Sequence, residues 1–249
     1  MSGQPSPAAH RLSPVIELRQ YDLHPGTRET LIDIFDRHFV EGQEVEGMAI
    51  IGQFRDLDNP DSFVWLRGFA DMETRERALT GFYSGPVWMK HRDAANATML
   101  RFDNVLLLRP ATPESGFALD VADRAAADSA VAPAGLVTVN IISVRDNAAA
   151  FAAWHRENML PILEKAGADV VALLVTESAE NTYPALPVRT DSQVLAVVTR
   201  FADTAALDRF RATLAASPEW AAASKAAGAY VNGPPRTLRL SPTARSLLR

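Results

Sequence analysis

A chain of 249 residues, 47% of them apolar and 22% charged, can bury a sizeable core as one large domain or as two of roughly a hundred residues each. It has no cysteine, which excludes a disulfide scaffold, a thiolate zinc site and a cysteine nucleophile. A net charge of −5 disfavours nucleic acid as a partner, and no run approaches the roughly 18 apolar residues of a membrane span, so a soluble cytoplasmic protein is expected.

The chain opens on "MSGQPSPAAHRLSP", polar and Pro-rich with no apolar signal-peptide core, read as a disordered tail over 1–13. "PVIELRQYDL" alternates apolar and polar residues and predicts a strand. "HPGTRETLIDIFDRHFVEG" predicts a turn, a Thr27 cap and a helix with Leu31, Ile34, Phe35 and His38 on one stripe. "GMAIIGQFRDL" and "SFVWLRGFAD" predict strands split by a short loop. Two helices come next, about Met72–Phe82 and then "GPVWMKHRDAANATM", before the strand "NVLLLRP". An Ala/Asp/Ser-rich linker is expected over 113–134. "GLVTVNIISV", "NAAAFAAWHRENMLPILEKAG", "DVVALLVTES" and "SQVLAVVTRF" then predict strand, helix, strand, strand, with two helices and the strand "RTLRLS" after them. Residues 242–249 read as a C-terminal tail.

This order is one plan used twice. At an offset of 132 without gaps, Phe69-Ala70-Asp71 lies over Phe201-Ala202-Asp203, Pro86 over Pro218 and Trp88 over Trp220. The predicted fold class is therefore α+β: tandem ferredoxin-like βαββαβ repeats over 14–112 and 135–241. The strand 62–70 is apolar on both faces, which demands a partner sheet. Two units in one chain can supply it to each other, pairing their antiparallel sheets into a barrel of about eight strands, wide enough for one small ligand. The main insertion is "AENTYPALPVRT" (179–190), between two strands of the second repeat.

Alternation assigns candidate residues. The apolar side of the first strand, Ile16 and Leu18, suits the helices, leaving Glu17, Arg19 and Tyr21 to face the barrel interior. Arg67 shares a strand face with Phe63, Trp65 and Phe69, as a stacked structural cation or as an anchor for an anionic or carbonyl-bearing ligand. Either Arg19 or Arg67 can equally pair with Glu17 as a buried salt bridge. His38 and His91 are the candidate general bases, with solvated or core roles as the alternative. His155, in "AAWHREN", reads as structural. Between the repeats Arg67 becomes Thr199, Tyr83 becomes Ala215, His91 becomes Ala223, Arg92 becomes Ser224 and Asn96 becomes Gly228, whereas Pro86 and Trp88 persist. What both repeats keep reads as scaffold, so Arg67, Tyr83, Arg92 and Asn96 gain weight as ligand contacts. No nucleotide-binding glycine motif or metal-ligand spacing is present in the sequence, so neither a cofactor nor a metal is expected.

The segments "ELRQYDLHPGT", "FVWLRGFADMETR", "FYSGPVW" and "AANATM", with "ENTYPALPVR" and "VTRFAD" in the second repeat, resemble the NIPSNAP family of the dimeric α/β-barrel superfamily. That resemblance implies a barrel between paired sheets, made by a dimer elsewhere and here by the second repeat, so a monomer with an internal pseudo-dimer or a homo-oligomer is expected. Arg19, Tyr21, Arg67, Tyr83, Trp88, Arg92 and Asn96 fall inside the matching motifs as positions of interest without assigned roles. The resemblance leaves two readings of function. One is a cofactor-independent enzyme, an oxygenase or isomerase, acting on an aromatic or polyketide-like small molecule in the barrel. The other is a non-catalytic ligand-binding or protein-interaction module.

Overall fold

Local signals set both repeats in the same way. Asp71 and Asp203, the last residues of the repeated Phe-Ala-Asp, each accept a hydrogen bond from the backbone three residues on, Asp71 from the Thr74 N–H at 2.6 Å and Asp203 from the Ala206 N–H at 2.7 Å. Each thereby caps the helix that comes after a strand. Pro86 and Pro218 occupy the first turn of the next helix, where a missing N–H is harmless.

A computed structural model describes residues 13–191 and 193–249, so all of the expected N-terminal tail except Ser13 lies outside the described residues. The first repeat runs β1 (Val15–Leu23), α1 (Arg28–Ile34), a π-helical turn (Phe35–Phe39), α2 (Val40–Glu44), β2 (Ala49–Asp56), β3 (Ser62–Phe69), α3 (Met72–Ser84), α4 (Pro86–Asn96) and β4 (Met99–Pro110). The second runs β5 (Leu136–Val144), α5 (Ala148–Asn158), α6 (Leu160–Lys165), β6 (Asp169–Thr176), β7 (Gln193–Phe201), α7 (Thr204–Ala215), α8 (Pro218–Ala227) and β8 (Arg236–Pro242). The eight strands close in the order β1-β3-β2-β8-β5-β7-β6-β4, all neighbours antiparallel. Two short seams join the repeats, Phe54–Asp56 against Leu240–Pro242 and Leu108–Pro110 against Leu174–Thr176.

The barrel interior is aliphatic. Ile16, Leu18, Val64, Leu66, Val137, Val139, Leu174, Ala196, Leu238 and Leu240 fill it. This reverses the expected facing of β1: Glu17, Arg19 and Tyr21 point at the helices, with Phe63, Trp65 and Phe69. The reason is hydrogen bonding. Inside the barrel each side chain meets only other strands' side chains, whereas the helix side brings Gln43, Arg75 and the 179–190 loop within reach of buried charge. A ligand in the barrel is thereby excluded in favour of a place between sheet and helices.

Two further expectations change. The π turn adds a residue to the first helix and rotates the side chains beyond it by roughly 100°, so Phe35, Phe39 and Val40 are buried while His38 stands half-buried off the stripe. Thr27 precedes α1 without capping it, its hydroxyl donating to the His24 and Thr98 carbonyls. The C-terminal segment is no loose tail. The Thr243 N–H donates to the Gln53 carbonyl and the Leu248 N–H to the Ile51 carbonyl, and Arg245 holds the Glu41 carboxylate. Phe117 from the linker and Leu248 both enter the barrel core. Leu248→Ala is expected to destabilise the protein by about 2–5 kcal/mol, read as a lower urea midpoint at unchanged slope.

Candidate functional site

Each repeat has a layer between its sheet and its helices, and the two layers are built differently. In the first, the Glu17 carboxylate accepts from Arg19 Nη1 at 2.7 Å, Arg67 Nε at 2.8 Å and Arg75 Nε at 2.7 Å. All four side chains are fully buried. Arg19 Nε donates to the Tyr21 hydroxyl at 3.0 Å, and Arg67 Nη1 to Gln43 Oε1 at 2.9 Å. The Arg67 guanidinium lies 5.0 Å from the Trp65 ring centre and 6.0 Å from that of Tyr83. Burial alone would raise the Glu17 carboxyl, but the charges of Arg67, Arg19 and Arg75 outweigh it and hold the group well below the usual carboxylate range. Burial keeps the Tyr21 phenol above its ordinary value.

The insertion seals this cluster. Arg75 Nη1 donates to Asn181 Oδ1 at 2.9 Å, the Thr182 hydroxyl donates to the Met72 carbonyl, Tyr183 stacks on Tyr83 with ring centres 6.1 Å apart, and Leu186 is buried beneath. The structure thus brings Arg19, Tyr21, Arg67 and Tyr83 together, as a salt-bridged cluster under a loop. His38 and His91 lie apart from it, stacked on each other at 3.9 Å on the outside of the helices, with the Phe39 ring next inward. They border a shallow groove with Arg37, Glu41 and Lys90. Partial desolvation, then the charges of His38 and Lys90, keep His91 below the ordinary histidine value. Arg92 and Asn96 are exposed, and Arg92 meets only its own helix, at Met89 and Asp93. Among the described residues no group of three or more His, Asp or Glu is placed to hold a metal ion.

The second repeat replaces every member of the cluster with something smaller. Strand register puts Thr138 opposite Thr199 where Glu17 faces Arg67, Asn140 opposite Val197 where Arg19 faces Trp65, and Ile142 opposite Leu195 where Tyr21 faces Phe63. On the helix, Leu207 stands for Arg75. The space this frees is a cavity of about 400 Å³ between β5, β7 and β8 and the helices α5–α8. Its walls are mainly apolar, with Phe151, Leu207, Phe210 and Trp220 prominent, and its rim includes the exposed Arg211, Ser224 and Gly233–Pro235. Three polar groups stand in the wall: Thr138, Asn140 and His155. Asn140 Oδ1 accepts from the Thr237 hydroxyl at 2.6 Å. The His155 side chain is 2% exposed and its Nδ1 has no hydrogen-bond partner. Burial pushes its pKa down to about 4, so the ring is neutral at pH 7. An apolar pocket with a few polar groups set in it is the usual form of a small-molecule site.

With both layers in view, the NIPSNAP family model matches residues 16–112. Residues 16–112 are a NIPSNAP domain. It is this NIPSNAP domain that carries the sealed arginine cluster, while the open cavity lies in the second repeat. Three solved structures resemble nearly the whole chain. A putative monooxygenase from Lactobacillus acidophilus is 12% identical with a TM-score of 0.54, over 94% of this chain and 98% of that one. Another from Fusobacterium nucleatum subsp. nucleatum is 8% identical with a TM-score of 0.58, over 93% of each. An anthrone oxidase-like protein is 12% identical with a TM-score of 0.55, over 92% of this chain and 93% of that one. At these identities the likeness is one of fold. No curated protein matches the sequence. No helix is long and apolar enough to cross a membrane, among the described residues.

Proposed function

We propose that this protein acts on a flat, aromatic or polyketide-like small molecule held in the cavity of the second repeat. The observation that carries the reading is the cavity itself, about 400 Å³ of mostly apolar space where the NIPSNAP domain has packed charge. Thr138, Asn140 and His155 would orient a hydroxyl or carbonyl of such a ligand against the sheet, and the neutral imidazole suits accepting a phenolic or enolic proton. An oxygenase built this way needs a substrate able to reduce oxygen itself, because nothing in the wall is a redox group. The name of the anthrone oxidase-like neighbour suggests a first probe of that kind. Oxidation of anthrone to anthraquinone turns its methylene into a carbonyl, one oxygen atom entering and the other leaving as water.

Binding without turnover is the second reading, favoured by the low His155 pKa, which makes the imidazole a weak base near neutrality. One experiment separates them: thermal stabilisation and oxygen uptake, both measured with anthrone. A saturable rise in Tm is expected for the native chain, and Ala227→Phe, which projects a ring from the cavity wall, should weaken binding roughly tenfold or more. Oxygen uptake lost in His155→Phe supports catalysis, and a Tm rise without uptake supports binding alone. No Tm response to anthrone or to smaller phenols and naphthols would sink the pocket as a ligand site.

A further inference from the structure

We propose that the buried arginine cluster of the NIPSNAP domain binds one small anion. Three guanidiniums, on Arg19, Arg67 and Arg75, share the single Glu17 carboxylate, and all four groups are fully buried. Their other acceptors are neutral: the Tyr21 hydroxyl, Gln43, Asn181 and Thr182. Among the described residues no second carboxylate meets any of the three, so the cluster carries a net charge of +2 away from solvent. Buried charge persists where it is paired and hydrogen-bonded, and a doubly positive interior is not.

The unused donors point the same way. Arg19 Nη2 and Arg75 Nη2 are buried and have no hydrogen-bond partner. Trp65 Nε1, on the strand face that carries Arg67, is a third such donor. An anion among them would accept charge-assisted bonds from the guanidiniums and cancel part of the excess charge. The Tyr21 phenol does not supply that charge, since burial favours its protonated form. The 179–190 loop closes over the cluster through Asn181, Thr182 and Tyr183, so the ligand must be small: a halide, a simple carboxylate or a phosphate. This site is separate from the cavity of the second repeat, and either can fail without the other.

The test is to unfold the whole chain in urea and refold it into sodium gluconate, whose anion is too large for a sealed cluster. Gluconate is then replaced by chloride, bromide, acetate or phosphate at fixed ionic strength while Tm is followed. A saturable Tm rise with at least one of them is expected, and the pattern tells halide from carboxylate from phosphate. Arg75→Met, which lowers the net charge to +1, should raise the half-saturating concentration roughly tenfold or more. Crystals of the unaltered protein grown in bromide give a second measurement that needs no variant, with an anomalous peak expected beside Arg19 and Arg75. A Tm that responds to no anion overturns the proposal. So does a response that Arg75→Met leaves unchanged, or a bromide map with no peak in the cluster.

Discussion

Glu17→Gln should lower the unfolding free energy at pH 7 by about 3–5 kcal/mol, measured by urea denaturation. The substitution changes one atom, yet it leaves three buried guanidiniums with no anionic partner from the chain. A neutral amide keeps the shape and one acceptor oxygen, so lost packing cannot explain the effect. A domain of ordinary stability holds only about 5–15 kcal/mol in reserve, and part of the variant will be unfolded at 37 °C. The same pairing predicts acid sensitivity. The Glu17 carboxyl titrates lower in the folded chain than in the unfolded one. Its contribution is therefore complete above the unfolded value of about 4.3, and is lost progressively as the pH falls below it.

His155→Phe is expected to reverse the slope of stability against pH between about 6.5 and 4. The histidine takes up its proton near 6.5 when unfolded and near 4 when folded, so its share of stability is present above 6.5 and falls as the pH drops through that window. A depression of this size is worth about 3 kcal/mol by the acid end of the window. Asp36 works in the opposite sense. Burial raises its carboxyl to about 6, so the folded form gains stability as the pH falls through 6 and the aspartate protonates. The two nearly cancel in the native chain. Removing His155 leaves Asp36 unopposed, and the variant should become more stable from pH 6.5 down to 4 while the native chain stays nearly flat. Parallel curves for the two proteins would show that His155 is not held neutral in the folded state.

The fold is legible because its signals are local and repeated. Helix-capping Asp71 and Asp203 and the prolines at 86 and 218 recur at one offset, and the two-sided apolar strand β3 demands a second sheet. The site is harder to read. Alternation shows that Glu17 and Arg19 lie opposite Ile16 and Leu18, but which face meets helices depends on where partners such as Gln43 and Asn181 arrive from distant segments. Arg75 carries a quieter signal, since it shares the stripe of Ala78, Leu79 and Phe82 on α3 and an arginine there must be buried with a partner. The cavity has no positive signal at all. It arises from smaller side chains, Thr138, Asn140, Val197 and Leu207, at the positions where the first repeat is crowded. Loss of polar residues from the second repeat looks like loss of function along the chain, and in space it opens room.

Closing the barrel within one chain also has a genetic consequence. When two copies of one gene product make a symmetric barrel, any substitution appears on both sides, and a change that shuts one layer shuts the other. Here the seams at Phe54–Asp56 and Leu108–Pro110 join two separately encoded sheets. Selection can therefore tighten one side for cohesion and hollow out its twin for recognition, without compromise between them.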